Sequence, residues 1–115
     1  MSPEVIPHVF ASLQTLERYL EQVRTLSTRA VEFSAELRTR IPEFERVVKQ
    51  MRRTANKLQF QVAANNQAEI VRSLRIFYGL NHMLRPELLS TLIKLTKGSN
   101  PLQPKAVAAS LQDVH

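Results

Sequence analysis

The sequence predicts an all-α protein, a small bundle of three to four helices. Apolar residues recur at three- and four-residue spacing across most of residues 5–97, the period of an amphipathic helix. No stretch alternates polar and apolar residues in the manner of a strand, and no Asn-Gly or Asp-Gly hairpin turn occurs. Only two glycines are present in 115 residues, so the chain has few places to reverse except where helices end.

The elements follow in order. Ile6, Val9, Leu13, Leu16, Leu20 and Val23 form the seam of a first helix, with Pro3 or Pro7 tolerated in its first turn. The same register runs on through Ser27, Ala30, Ser34 and Leu37, which predicts one long helix over about 5–38 with a weak point near Ser27. Small residues in such a seam also let another helix approach closely. Pro42 then punctuates the chain, because proline fits the first turn of a helix, with Thr39 as candidate N-cap. A second helix over 41–64 carries Ile41, Phe44, Val48, Met51, Ala55, Leu58 and Val62 on one side, so a heptad-like register runs from Ile6 to Val62. Asn65-Asn66 ends it, since asparagine suits turns and left-handed caps.

A third helix is expected over 67–84. Ile70, Val71, Leu74, Phe77 and Tyr78 make one apolar face, and Ile76, Leu80 and Met83 make a second. A helix apolar on so much of its circumference is either central in its bundle or covered by another chain. Pro86 predicts a stop and a fourth helix over 86–97, with Gly98 as its cap. The domain boundary falls there. Residues 1–98 read as the bundle, and 99–115 as a linker and a tail with a short terminal helix at most.

Charge is distributed unevenly. The formal net charge is +6, and residues 46–68 contain Arg46, Lys49, Arg52, Arg53 and Lys57 with no acid among them. At 100° per residue, Arg46, Lys49, Arg53 and Lys57 fall opposite the apolar stripe, and Phe60 projects among them. These cations, with Arg52 and Phe60, are the candidate binding residues for an acidic protein or a nucleic-acid backbone, the aromatic being available for base stacking. The competing reading is a solvated face that keeps the protein soluble. Ile76, Leu80 and Met83 are the candidate residues for packing against a partner.

Many chemistries are excluded or disfavoured. With no cysteine, thiol nucleophiles, disulfides and cysteine-based metal centres are impossible. His8, His82 and His115 are far apart and none has a clustered carboxylate, so no metal and no cofactor is expected. Glu17 with Glu21 and Glu32 with Glu36 lie off the seam beside Arg18, Arg24 and Arg40, the pattern of a solvated face. No apolar run reaches the length of a membrane span and no signal peptide is read at the N-terminus, so a cytoplasmic location is expected.

Two short patterns carry resemblances. Arg75, six intervening residues and His82 resemble the Arg–His motif of HEPN ribonucleases, small all-α dimers. The resemblance implies that this Arg and His act on an RNA phosphate at a dimer interface. The residue after the arginine is usually polar in that family and is Ile76 here. His82-Met83-Leu84-Arg85 is similar to the His-x-x-Lys-Gly of histidine phosphotransfer domains, with Pro86 where that family needs glycine.

The expectation from sequence is therefore a non-catalytic helical interaction module, a subunit of a larger assembly or a self-associating adaptor. Its partner is another protein or a second copy, with a basic face for something acidic. The alternative is a sequence-independent binder of RNA or DNA backbone, alone or as a small subunit of a nucleoprotein complex. A HEPN-like ribonuclease is the remote alternative. No small-molecule substrate is evident.

Overall fold

The computed structural model describes residues 4–29 and 34–99, and every regular element among them is an α-helix. There are three: α1 (Val5–Ser27), α2 (Ser34–Ala63) and α3 (Gln67–Ser99). Ala30 and Glu32, and the expected tail and terminal helix over residues 100–115, lie outside the described residues.

The helix expected over 5–38 is two helices. Thr25, Ser27 and Thr28 donate their hydroxyls to the carbonyls of Glu21, Arg24 and Thr25 at 3.0, 2.7 and 2.7 Å. Side chains that take up carbonyls in this way weaken the helical ladder, and α1 ends where three of them cluster. The apolar register that continues into Leu37 belongs to α2 instead.

Neither internal proline starts a helix. Pro42 lies inside α2 and Pro86 inside α3, so the third and fourth expected helices are one continuous element, which also includes Gly98. Thr39 is not an N-cap; its hydroxyl donates to Glu36 O at 2.8 Å within α2. Proline removes one N–H and repels the carbonyl four residues earlier. Both prolines are exposed. The disturbed turn therefore faces water, while Phe44 and Val48, or Leu84 and Leu88, hold the same helix into the core alongside it.

The turn between α2 and α3 follows the sequence expectation closely. Asn65 adopts a left-handed φ of 54°. Asn66 N–H donates to Gln61 O and Asn65 N–H to Val62 O, each at 3.0 Å, the paired bonds of a Schellman motif. Asn66 Oδ1 then accepts from Glu69 N–H at 3.4 Å, capping the start of α3.

The helices run up, down and up. Glu17 meets Arg52 and Arg24 meets Glu45, so seven residues forward on α1 is seven back on α2. Gln61 Oε1 accepts from Ser73 Oγ at 2.6 Å near the turn, while Glu36 and Leu37 line a small cleft with Thr91 and Leu95 at the far end. The long dimension of 51 Å matches the length of α3. Val9, Leu13, Leu16, Leu20 and Val23 of α1 pack with Phe44, Met51, Ala55 and Leu58 of α2 and with Ile70, Phe77, Leu84, Leu88 and Leu92 of α3. One continuous core results.

Buried polar groups are nearly all satisfied within their own helices. Thr91 and Thr96 donate to Glu87 O and Leu92 O at 2.8 and 2.6 Å. Among the described residues two buried atoms have no hydrogen-bond partner, Asn81 Oδ1 on α3 and the hydroxyl of Tyr19, whose ring is fully buried. An unpaired buried hydroxyl costs about 1–3 kcal/mol. Tyr19→Phe is therefore expected to match or exceed the parent stability in urea unfolding, and a clear loss would reveal a bonded hydroxyl. Pro86→Ala is expected to raise stability by up to about 3 kcal/mol, because it restores a helical N–H at an exposed position. A lowered midpoint would show that the proline holds the native geometry.

Candidate nucleic-acid and protein interface

The basic stripe is built by helical periodicity on α2. Arg46, Lys49, Arg53 and Lys57 are all exposed and point away from the Met51–Ala55–Leu58 side that enters the core. Among the described residues none of the four forms an ion pair. Phe60 follows on the same side and is 76% exposed, unusual for a phenylalanine.

Arg52 stands apart from the stripe. It faces α1, where its Nε and Nη2 donate to the two carboxylate oxygens of Glu17 at 2.8 and 2.6 Å. This bidentate bond, with the Glu17 charge, holds the Arg52 guanidinium above its ordinary pKa in spite of some desolvation. A cation raised in this way stabilises the fold below its unfolded pKa, and the contribution is lost only as pH rises through the folded value, far into the alkaline range. Arg52 thus ties α1 to α2, and its charge is already matched.

Arg38 joins the face instead. It is exposed, has no ion pair among the described residues, and lies eleven residues before Lys49, nearly the same direction around α2. Sequence reasoning missed it because Pro42 was read as the start of the helix, which assigned Arg38 to a different element. Continuity of α2 through Pro42 is the fact that recruits it.

The apolar candidates on α3 divide. Leu80 is half-buried and packs against the core. Ile76 and Met83 remain 42% and 54% exposed although α3 packs against both other helices. Val71, Tyr78 and Ile93 are also exposed, on the opposite flank of α3, where Tyr78 makes an edge contact with Phe77 at 5.4 Å between ring centres.

The Ile76–Leu80–Met83 side of α3 is the side next to α2. Lys94 lies eighteen residues after Ile76, five whole turns, and lines the cleft with Glu36, Leu37 and Arg40 of α2. Ser73, bonded to Gln61, lies on the same side near the other end. From that bond, three residues forward on α3 and four back on α2 bring Ile76 and Lys57 to one level. Of the cationic stripe, Lys57 therefore stands at the edge of the α2–α3 groove beside the apolar row, whereas Arg53 and Lys49 point outward from α2 and share their surface with Glu45.

The acids are disposed differently. Glu17, Glu21, Glu36, Glu45 and Glu69 are each engaged by an arginine. The carboxylate pairs of α1 and α2 thus serve as ion-pair partners, with Glu32 outside the described residues. Arg75 and His82 are both exposed, two turns apart on α3, and among the described residues neither has a charged partner. Pro86 follows His82 without breaking the helix. Among the described residues no group of three or more His, Asp or Glu could hold a metal ion, and no helix is long and apolar enough to cross a membrane.

No family model, curated protein sequence or solved structure matches this chain.

The different settings of Arg52 and Arg53 yield a direct check. Reversal of Arg53 and Lys57 to Glu removes no contact within the fold, so the melting temperature is expected to stay within about 3 °C of the parent. Arg52→Glu places a like charge against Glu17 and is expected to lower it by about 4–8 °C, allowing for screening of this half-exposed pair. Equal effects at the two sites would contradict the assigned ion pair.

Proposed function

We propose that this protein is a non-catalytic helical interaction module that packs against another protein chain along the α2–α3 groove. The observation that carries the reading is the exposure of Ile76 and Met83 beside half-buried Leu80, an apolar line at four- and three-residue spacing that the bundle leaves uncovered. Singly exposed apolar residues are ordinary on protein surfaces. An aligned apolar row with the charged Lys57 at its edge is the composition of an interface, with an apolar centre and a charged rim.

A second reading rests on Phe60. A phenylalanine exposed amid unpaired cations suits a single-stranded nucleic acid, whose phosphates meet the cations and whose bases stack on the ring. Binding of that kind weakens steeply with salt, by about 0.7 in log–log slope for each phosphate contact.

Site-directed photo-cross-linking separates the two. A photoreactive side chain at position 76 or 83 is expected to capture protein from native cell extract, in adducts that survive nuclease, whereas one at exposed Arg18 of α1 captures none. Absence of protein adducts at 76 and 83, together with nucleic-acid adducts at 60, would replace the packing reading by the second one.

A further inference from the structure

We propose that the partner packed on the α3 row is a second copy of this chain, docked antiparallel through α3. This rests on the packing reading above and adds the identity of the partner.

The face is symmetric in position and opposite in charge. Arg72 lies one turn before Ile76, and Glu87 lies one turn after Met83. With Gly79 and Leu80 between them, these six residues fall within a sector of about 100° on α3. Arg72 and Glu87, Ile76 and Met83, and Gly79 and Leu80 are each equidistant from the middle of the row. An antiparallel copy therefore sets Arg72 against the partner's Glu87, Ile76 against the partner's Met83 and Gly79 against the partner's Leu80. The dyad repeats each pairing with the roles exchanged. A parallel copy would oppose arginine to arginine and glutamate to glutamate. A foreign partner would require no such symmetry.

The groups of this face are available. Glu87 is exposed and has no ion pair among the described residues. Arg72 pairs with Glu69 within its own helix at 3.4 Å, yet its side chain stays 71% exposed. Its five N–H donors can serve a second carboxylate. Gly79 does not have a positive φ, and among the described residues a Cβ there would meet nothing within 4 Å. Neither a turn nor crowding calls for glycine at this position, although glycine weakens a helix interior. Its bare backbone lets a second helix approach closely between Ile76 and Met83. The net charge of +6 opposes self-association, but Arg46, Lys49 and Arg53 stand on the outer side of α2, away from this face. A contact of about four turns is small for a stable dimer, so dissociation at about 10–100 µM is expected.

Sedimentation equilibrium of the full chain from about 1 to 500 µM tests the proposal. The parent is expected to pass from monomer to dimer across that range. Arg72→Glu and Glu87→Arg are each expected to weaken the dimer by about ten-fold, because each reverses two symmetric pairs. The double variant restores opposite charges in the antiparallel register only, and is expected to return to within about three-fold of the parent. Met83→Glu is expected to leave monomer alone over the range, with folding checked by melting temperature. Phe60→Ala, on the outer side of α2, is expected to change nothing although Phe60 is the more exposed side chain.

A parent that stays monomeric at the top of the range would overturn the proposal. So would a double variant as weak as either single one, or loss of the dimer in Phe60→Ala. A monomeric chain with another protein cross-linked at positions 76 and 83 would reject the second copy and leave the packing reading standing. If the chain is monomeric and no protein is captured there, both fall.

Discussion

A three-helix bundle has one interior, and each helix can turn only about a third of its circumference towards it. That geometric limit governs this molecule. α1 and α2 obey it, with apolar residues on one side and polar ones on the rest, Phe60 of α2 apart. α3 exceeds it: Ile70, Phe77, Leu84 and Leu88 fill its share of the core, yet Ile76 and Met83 are apolar as well. No rotation of α3 buries both sets, because their centres are separated by about a third of a turn. A row of this kind contributes little to the stability of the isolated chain, since its apolar surface stays in water in both folded and unfolded states. What it offers is area to be buried against something else.

Electrostatics reinforces the same division of faces. The acids of α1 and α2 are drawn into pairs: Glu17 with Arg52 and Glu45 with Arg24 bridge the two helices, and Glu36 with Arg40 lies along α2. Exposed pairs of this sort contribute modestly to stability, about 0–1 kcal/mol each. Their larger consequence is positional. Two of them neutralise arginines across the α1–α2 seam, while Arg46, Lys49, Arg53 and Lys57 on the outer side of α2 keep no ion pair among the described residues.

Much of this was legible in the sequence, and the failures have specific physical causes. Helical period, the absence of strand alternation and the Asn65-Asn66 turn all appear as read, the last because a left-handed residue and an N-cap are both local properties. Pro42 and Pro86 misled because a proline signal is local whereas helix continuity is decided by packing on either side of it. The hydroxyl cluster at Thr25, Ser27 and Thr28 was visible only as a weakness, although it ends α1. For the candidate site, periodicity placed Arg46, Lys49, Arg53 and Lys57 on one face correctly. It could not separate Arg52, whose direction matters only once Glu17 is opposite, or recruit Arg38, whose helix had been misassigned. Nor could it show that the apolar row of α3 lies next to α2, because that depends on which side of α3 meets α2.

The two surfaces weigh differently. A cationic stripe on a convex helix is ordinarily a solvated face, and an exposed methionine is ordinarily an accident of a finite surface. What sets the α3 row apart is alignment: Ile76 and Met83 flank half-buried Leu80 on the side next to α2, with Lys57 at the edge. The other cations crown the outer face of α2, where they act through their field rather than through the groove.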